Sequence, residues 1–277
     1  MQLIEREYSS LDIDEAKWRA PKPFGISGCI RVRNDGEFLK AAVLSHLPYL
    51  DEIVLAYQPS EDNTLAVCDE LEAAYPKKVR IEHYPVAPVF VYDRGWKTMS
   101  ENSIHSFVYM SNWATTMCRY SWVAKFEADV VCLPTFERIV NRVKAAPDKQ
   151  VYYGRVILNV VGREMNFINA ANPRNAGWDE AVFMNCPDYL YRRADTWEYI
   201  DFHSQPQECF GWSAVHLKRV KRKFTSRDVD VPIVKNDPDS LKTLMDDFNR
   251  RNCWPGGLYP EGDPALFDPA WREFVWR

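Results

Sequence analysis

A short apolar strand runs into an acidic turn in the stretch Trp122-Val123-Ala124-Lys125-Phe126-Glu127-Ala128-Asp129-Val130-Val131-Cys132-Leu133-Pro134. Glu127 and Asp129 stand one residue apart after the strand, so their side chains project to the same side of the chain. Two carboxylates placed in this way can hold a hard divalent cation, directly or through water, and the cation can neutralise a diphosphate. Pro134 is positioned to open the next helix.

Strands and helices alternate in the residues before this turn. The hydrophobic pattern predicts strands at 25–34, 52–57 and 78–84, and helices at 37–47 and 64–75. This order predicts a Rossmann-like α/β fold, with a mixed, mainly parallel sheet flanked by helices. Ligands of such sheets bind outside the carboxyl ends of the strands. We therefore expect residues 33–34, 60–63 and 127–129 to converge on one crevice.

The rest of the chain is less regular. Residues 1–24 are predicted to form an irregular lead-in, and residues 85–101 form a long connection. Further helices are predicted at 103–119, 134–146, 214–223 and 240–251, with a strand at 150–158. The composition shifts near residue 150 towards an aromatic second half, but no linker separates it as a second domain.

Composition and charge argue against several classes of protein. A net charge of -4 over 277 residues gives no basic surface for nucleic acid. No apolar run approaches the roughly 20 residues that span a bilayer, and the polar N-terminus does not read as a secretory signal. The seven cysteines are scattered without a C-x-x-C pair, which indicates reduced thiols in a cytoplasmic protein.

Three motifs in sequence order resemble the GT-A glycosyltransferases, most closely glycosyltransferase family 2. They are a strand ending in polar residues and Asn34, the turn at 60–64 after the second strand, and the Glu127-Ala128-Asp129 turn. The resemblance covers residues 25–140. It implies transfer of a sugar from a nucleoside-diphosphate sugar to a hydroxyl of a glycan, lipid-linked or protein acceptor, as in polysaccharide biosynthesis, with Mn²⁺ or Mg²⁺ as cofactor. Residues 25–150 would then be the nucleotide-sugar-binding half, and residues 151–277 the acceptor-binding half of the same domain.

The resemblance also assigns candidate donor ligands. The candidates for nucleotide-sugar binding are Arg31, Arg33, Asn34, Tyr57, Ser60, Asp62, Asn112, Glu127 and Asp129. The sequence departs from the family at three points. Tyr57 stands where a base-binding Asp is common, Ser111 stands where an Arg is expected, and Asn63 replaces a Gly, which Asn can do in a left-handed conformation. Arg31, Arg33, Arg94 or Lys97 could supply the missing positive charge.

The metal ligands and the catalytic base are also predicted from the resemblance. Asp129 is the expected main ligand, Glu127 would bind ribose hydroxyls or a metal-bound water, and His216 resembles a further ligand that the family places well downstream. A structural role for His216 remains the alternative. An inverting transferase needs a carboxylate base, for which Glu208, Asp179 and Glu180 are the candidates, with Glu208 near a predicted helix start. The alternative is a transferase that retains the anomeric configuration of the transferred sugar.

Two further features of the second half have double interpretations. The aromatic residues Trp178, Trp197, Tyr199 and Trp212 could form an acceptor platform or fill a core. The basic run at 218–223 is interpreted as the solvated end of a helix, with peripheral contact to anionic lipid as the alternative. The rival functions are a sugar-1-phosphate nucleotidyltransferase and a GT-A-fold protein that binds glycan or nucleotide without turnover.

Overall fold

The computed structural model describes residues 8–91, 93–161, 166–168, 180–202, 207–220, 233–234 and 239. The chain divides into two compact units, each of which is discontinuous in sequence. The first unit consists of Met1–Asn34, Leu50–Ala124 and Phe183–Gln205. The second unit consists of Asp35–Tyr49, Lys125–Val182 and Pro206–Arg277.

The described helices are short. They are α1 (Glu15–Arg19), α2 (Leu39–His46), α3 (Thr64–Ala74), α4 (Phe107–Thr116) and α5 (Phe136–Ala145). The described strands are β1 (Ile26–Val32), β2 (Glu52–Tyr57), β3 (Val79–His83), β4 (Trp122–Lys125), β5 (Val130–Cys132), β6 (Tyr152–Val161), β7 (Asn166–Ile168), β8 (Glu180–Met184), β9 (Leu190–Arg193), β10 (Glu198–Asp201), β11 (Gln207–Arg219) and β12 (Ile233–Val234).

The first unit contains the parallel strands that the sequence predicts. β1 lies between β2 and β4, and both the β1–β2 and β2–β3 pairs are parallel. β1 and β2 are buried over nearly their whole length, which explains their continuous apolar sequence, since parallel strands are covered on both faces. α4 packs against β1 and β9, and β9 pairs with β10 as an antiparallel hairpin. The predicted mixed α/β fold is confirmed.

The lead-in is more regular than predicted. It contains α1, which is preceded by the N-cap residue Asp14. The side chain of Asp14 accepts a hydrogen bond from the Lys17 backbone N–H. Trp18 is buried, and its indole N–H donates to Asn185 Oδ1 over 2.8 Å. A buried tryptophan with a satisfied N–H anchors this segment, which sequence periodicity over so short a helix could not indicate.

The second unit is built around β11. This strand pairs antiparallel with β5 and parallel with β6, while β7 and β8 each pair antiparallel with β6. A core cluster of Val130, Ile157 and Ala214 joins the three central strands. α2 packs against β5, and α5 packs against β11. The acidic turn at 127–129 leads directly into β5.

The helix predicted at 214–223 is wrong, because residues up to Arg219 belong to β11. The basic residues and the apolar spacing suggested a helix. The side chains instead alternate, with Val215 and Leu217 buried, His216 half-buried and Lys218 exposed, which is the two-residue period of a strand. Glu208 likewise lies within β11 and not near a helix start. The predicted helix at 240–251 lies outside the described residues.

Two expectations from composition can be compared with the described part of the chain. No described helix is both long enough and apolar enough to cross a bilayer. Five cysteines in the described residues are free thiols, namely Cys29, Cys68, Cys118, Cys132 and Cys186. Burial raises the pKa of the Cys68 thiol to about 12, so this group is an inert core residue.

Candidate metal centre and nucleotide-binding residues

The strand register of the second unit brings His216 to the acidic turn. On β11, His216 is paired with Val130 of β5 on one side and with Asn159 of β6 on the other. The next residue, Leu217, donates its backbone N–H to the carbonyl oxygen of Asp129 over 2.8 Å. The sheet itself therefore places a histidine beside two turn carboxylates that lie far away in sequence.

The three side chains form a compact cluster. His216 Nε2 lies 3.3 Å from Asp129 Oδ1 and 3.5 Å from Glu127 Oε2. One ligand atom from each residue can be chosen so that all lie within 4.8 Å of one another. The side chain of Asp129 is 7% exposed and that of Glu127 33% exposed. The predicted metal ligands Glu127, Asp129 and His216 thus meet in the structure.

Asn159 orients the imidazole. The Nδ1 atom of His216 lies 3.0 Å from Asn159 Oδ1, and the amide oxygen can only accept, so Nδ1 carries the donated hydrogen. The other ring nitrogen, Nε2, then faces the two carboxylates. Nε2 is buried and makes no well-formed hydrogen bond to any residue that the structure describes. An imidazole held in this way by a partner on its far nitrogen is the usual arrangement of a metal-ligating histidine.

The electrostatics of the cluster suit a cation. Burial by itself lowers the pKa of His216, but the negative charges of Asp129 and Glu127 outweigh it, so the pKa lies above its ordinary value. The carboxylates therefore attract positive charge to the Nε2 position. A divalent cation there would replace the proton, since metal ligands must be deprotonated. The three residues fit a bound metal ion by chemistry and by geometry.

The final turn of α2 holds the two ends of the acidic turn. The His46 ring stacks on Phe126 with centroids 3.7 Å apart and planes 15° apart. Ser45 Oγ accepts a hydrogen bond from the Cys132 backbone N–H over 2.9 Å. Both Ser45 and His46 are buried. These contacts hold the chain on both sides of the acidic turn, at Phe126 and at Cys132, so α2 helps to position the carboxylates.

Ser45→Ala is expected to destabilise the protein by about 1–3 kcal/mol, because the buried Cys132 N–H would lose its acceptor. Urea unfolding, followed by circular dichroism, measures this difference. Ser45→Thr, which keeps the hydroxyl, is the matched control and should lose less stability. Equal stability of Ser45→Ala and the unmodified chain would contradict the assignment of this hydrogen bond.

Asn159→Ala is expected to weaken Mn²⁺ binding by about 10- to 100-fold, the usual effect of removing a partner that orients a ligating histidine. Isothermal titration calorimetry with Mn²⁺ measures the change. Asn159→Asp keeps an acceptor for Nδ1–H and should retain the affinity. Unchanged affinity in Asn159→Ala would mean that the imidazole does not depend on Asn159 for its orientation.

The loops after β1 and β2 meet within the first unit. Asn34 Oδ1 accepts from the Glu61 backbone N–H over 2.7 Å, and the Asn34 N–H donates to Ser60 Oγ over 3.1 Å. Asn34 has a φ of 54°, in the left-handed region that Asn tolerates. Asn63, which could also tolerate this conformation, has a φ of -78°. The hydrogen bonds to Ser60 and Glu61, in the loop after β2, stabilise Asn34 in this conformation.

Tyr57 and Asp62 organise the same loops. The Tyr57 hydroxyl accepts from the Ser60 backbone N–H over 3.3 Å. Asp62 Oδ1 accepts from the Thr64 backbone N–H over 3.0 Å, at the start of α3. Asn34, Tyr57, Ser60 and Asp62 are therefore brought together, as the sequence predicts for strand ends. Their contact with a nucleotide stays a prediction.

Arg31 and Asn112 hold the β9–β10 hairpin. The Arg31 guanidinium donates to Ser111 Oγ over 2.7 Å and forms an ion pair with Glu198. Asn112 forms two hydrogen bonds with the backbone of Tyr191, donating over 3.1 Å and accepting over 2.8 Å. Arg31 thus places its charge at Ser111, but the carboxylate of Glu198 balances it. Nucleotide binding by Arg31 and Asn112 stays a prediction.

Arg33 differs from Arg31. Its guanidinium carbon lies 5.1 Å from the centre of the Phe90 ring. Its Nε is buried and has no hydrogen-bond partner among the residues that the structure describes. Of the two arginines, Arg33 is therefore the better candidate for an anionic ligand.

The predicted base candidates lie where the structure gives no side-chain description. Asp179 is outside the described residues, and Glu180 and Glu208 are described only as backbone positions in β8 and β11. Among the predicted platform aromatics, Trp197 and Tyr199 are 59% and 46% exposed. Trp178 is outside the described residues, and Trp212 is a backbone position in β11.

Sequence reasoning missed the residues that support the cluster. Asn159 is a polar residue in an otherwise apolar strand, and His46 is a histidine in an apolar helix. The unusual residue type at each position could have marked Asn159 and His46 as candidates. It could not have shown which residue each side chain contacts. The separation of Asn159 and His216 by 57 positions shows why, since only the register of two strands brings them together.

Comparisons with known proteins give similarity of fold. No protein-family model matches the sequence, and no curated protein matches it significantly. Residues 1–349 of S. aureus TarS in complex with UDP-GlcNAc match with 11% identity and a TM-score of 0.42, covering 90% of this chain and 71% of that one. A Pyrobaculum calidifontis mannosyltransferase with GDP-Man and Mn²⁺ matches with 14% identity and a TM-score of 0.35, covering 66% and 51%.

A third similar structure is glucosyl-3-phosphoglycerate synthase from Mycobacterium tuberculosis, in complex with Mn²⁺, UDP-glucose and phosphoglyceric acid. It matches with 14% identity and a TM-score of 0.35, covering 62% of this chain and 59% of that one. The chain spans only 38% of the longer TarS structure. The predicted likeness to glycosyltransferases is confirmed as a likeness of fold.

Proposed function

We propose that the chain is a metal-dependent glycosyltransferase. It would move a sugar from a nucleoside-diphosphate sugar to a hydroxyl of a glycan, lipid-linked or protein acceptor, with inversion of configuration. The observation that carries the proposal is the convergence of Glu127, Asp129 and the buried Nε2 of His216 on one point. A buried ring nitrogen that faces two carboxylates is better explained as a ligand of a bound cation than as part of the packed core.

Manganese suits this ligand set better than magnesium. Carboxylate oxygens bind Mg²⁺ and Mn²⁺ alike, whereas imidazole favours transition metals. A bound divalent cation supplies charge stabilisation for the oxygen of a departing diphosphate. Asp129, the more buried carboxylate, would be the main ligand, and Glu127, which is half-exposed, would bind a metal-bound water or ribose hydroxyls. Asn159 would keep His216 in the ligating tautomer.

The donor and acceptor roles of the remaining residues belong to the same proposal. Arg33 would bind the diphosphate, because its Nε has no partner among the described residues. The loops that carry Asn34, Ser60 and Tyr57 would bind the nucleoside. One of Glu208, Asp179 and Glu180 would deprotonate the acceptor hydroxyl from the side opposite the leaving group.

The test is the thermal unfolding midpoint with UDP, GDP, TDP and CDP, each with and without Mn²⁺. A ligand at 100 times its dissociation constant stabilises the native state by about 2.7 kcal/mol, which raises the midpoint by a few degrees in a chain of this size. We expect one nucleotide to raise the midpoint only when Mn²⁺ is present. If no nucleotide raises the midpoint with or without Mn²⁺, the transferase proposal fails and a glycan-binding protein without turnover replaces it.

A further inference from the structure

The β9–β10 hairpin presents two exposed aromatic side chains, Trp197 and Tyr199. They stand on either side of Glu198, so strand alternation places them on one face of the hairpin. The opposite face carries Glu198, which is paired with Arg31, and the buried side chain of Ile200. Neither the Trp197 indole N–H nor the Tyr199 hydroxyl forms a hydrogen bond with a residue that the structure describes. We call Trp197 and Tyr199 together the aromatic face.

The turn of the hairpin is held in place by the connection that follows β3. The Trp96 indole N–H donates to the carbonyl oxygen of Ala194 over 3.1 Å. The Arg193 guanidinium donates to the carbonyl oxygen of Trp96 over 2.8 Å and to that of Met99. The Ala194 N–H donates to the carbonyl oxygen of Trp197 over 2.8 Å, which closes the turn. An aromatic face on a backbone held in this way pays less ordering entropy when it binds a ligand.

A chain of contacts within the first unit connects the hairpin to Arg33, the residue proposed to bind the diphosphate. Glu198 is paired with Arg31, near the carboxyl end of β1. The Arg31 guanidinium lies over the Phe107 ring, whose centre is 4.5 Å from that of Phe90. Phe90 in turn lies under the guanidinium of Arg33. Ligands of parallel sheets bind outside the carboxyl ends of the strands, so the hairpin lies at the edge where the donor is proposed to bind.

The charges around the aromatic face disfavour an anionic ligand. Arg192 is the cross-strand neighbour of Tyr199, and its Nη1 atom lies 3.5 Å from Oε2 of Glu101. Lys97 Nζ lies 3.7 Å from Oδ1 of Asp195, in the hairpin turn. Each of these cations is thus paired with a carboxylate. The pairs leave no excess of positive charge that would attract a phosphate polymer or an anionic lipid surface.

The size of the aromatic face disfavours a protein partner and suits a saccharide. An aromatic side chain offers about 150–250 Å² of surface, and about half of each is exposed here, which gives roughly 200 Å² in all. A stable protein interface buries roughly 800 Å² on each partner, more than half of it apolar. Two rings that stand two residues apart on a strand are separated by about 7 Å, which suits successive sugar rings of one chain. Aromatic faces pack on the C–H faces of sugars, and the indole N–H and the phenol can bond their hydroxyls.

We propose that the aromatic face binds the acceptor of the transfer reaction, and that this acceptor is a neutral oligosaccharide. Trp197 and Tyr199 would stack on the C–H faces of two successive sugar rings. This inference rests on the proposed function. It selects a glycan from the three classes of acceptor that the proposed function includes.

Saturation-transfer-difference NMR tests the aromatic face, with maltotriose, cellotriose, mannotriose and chitotriose at millimolar concentration, without metal or nucleotide. At least one trisaccharide is expected to show transfer with the unmodified chain. Trp197→Ala and Tyr199→Ala should each weaken its binding by about 10-fold, whereas Tyr199→Phe keeps the ring and should retain most of the affinity. Phe24→Ala removes an exposed aromatic side chain outside the hairpin and is the matched control, which should bind like the unmodified chain.

The nucleotide-dependent rise of the melting temperature separates this inference from the proposed function. Trp197→Ala should keep both the melting temperature of the unmodified chain and the rise that the nucleotide and Mn²⁺ cause. No transfer to any trisaccharide, or full binding in both alanine variants, would overturn the acceptor face and leave the proposed function standing. Trisaccharide binding without any nucleotide effect would overturn the proposed function and the acceptor role with it.

Sedimentation velocity tests the rival occupant, a second copy of the chain. The unmodified chain and Trp197→Ala are expected to show the same oligomeric state. Self-association that Trp197→Ala abolishes would overturn the proposal, because the aromatic face would then be an interface between copies.

Discussion

Asp129→Asn is expected to lower metal-dependent turnover by at least about 100-fold, the scale of losing one group that stabilises charge on a leaving oxygen. The substitution keeps the shape of the side chain but removes the charge that lies 3.3 Å from His216 Nε2. An amide oxygen is a weaker ligand than a carboxylate, so Mn²⁺ affinity should fall as well. Release of nucleoside diphosphate from UDP- and GDP-sugars measures turnover, and calorimetry measures Mn²⁺ binding.

Two variants make this result specific. Glu127→Gln removes the more exposed carboxylate of the cluster and should have a smaller effect on Mn²⁺ affinity than Asp129→Asn. Asp148→Asn makes the same chemical change at an exposed position between α5 and β6 and should alter neither affinity nor turnover. Full metal-dependent turnover in Asp129→Asn would contradict the assignment of this cluster as the metal centre.

The parts of the fold set by local pattern could be predicted from the sequence. β1 and β2 are apolar runs and β3 alternates between apolar and charged residues. Helices separate the three strands, and this alternation of strands and helices implies parallel pairing. The acidic turn is also local, because Glu127 and Asp129 follow a strand within four residues. In both cases the information lies within a few neighbouring residues.

The parts set by tertiary contacts could not be predicted. The sequence predicts His216 as a metal ligand but places it on a helix, because the basic residues after it obscure the two-residue alternation of β11. Which asparagine becomes left-handed depends on Ser60 and Glu61, which hydrogen-bond to Asn34 and not to Asn63. The stacking of His46 on Phe126 depends on how α2 packs on β5. Such contacts join residues that no short sequence window contains.

Arg31 illustrates how a residue of the expected type can have a different role. The sequence predicts that it contributes positive charge to the nucleotide site. In the structure its side chain is 9% exposed, that of Glu198 is 12% exposed, and the two form an ion pair. The guanidinium carbon also lies 4.6 Å from the Phe107 ring centre and 5.3 Å from the Tyr191 ring centre. This charge therefore ties β1 and α4 to the β9–β10 hairpin.

Arg31→Met is expected to destabilise the protein by about 3–5 kcal/mol, because removing one member of a buried ion pair leaves the other charge uncompensated. That loss is large beside a typical folding stability of about 5–15 kcal/mol. The double variant Arg31→Met/Glu198→Gln removes the stranded charge and should recover part of the stability. Urea unfolding of the three proteins measures both differences.

Arg33→Met is the matched control, since Arg33 comes directly after β1, the strand that contains Arg31, but forms no ion pair within the described residues. Its stability should change by less than about 1 kcal/mol, while the nucleotide-dependent rise of the melting temperature should shrink. The two variants thus distinguish a role in folding stability from a role in nucleotide binding. The buried, paired charge of Arg31 is expected to contribute to stability, and the charge of Arg33 to nucleotide binding. If Arg31→Met were as stable as the unmodified chain but lost the nucleotide effect, Arg31 would bind the donor as the sequence predicts, and the ion pair with Glu198 would contribute little to the fold.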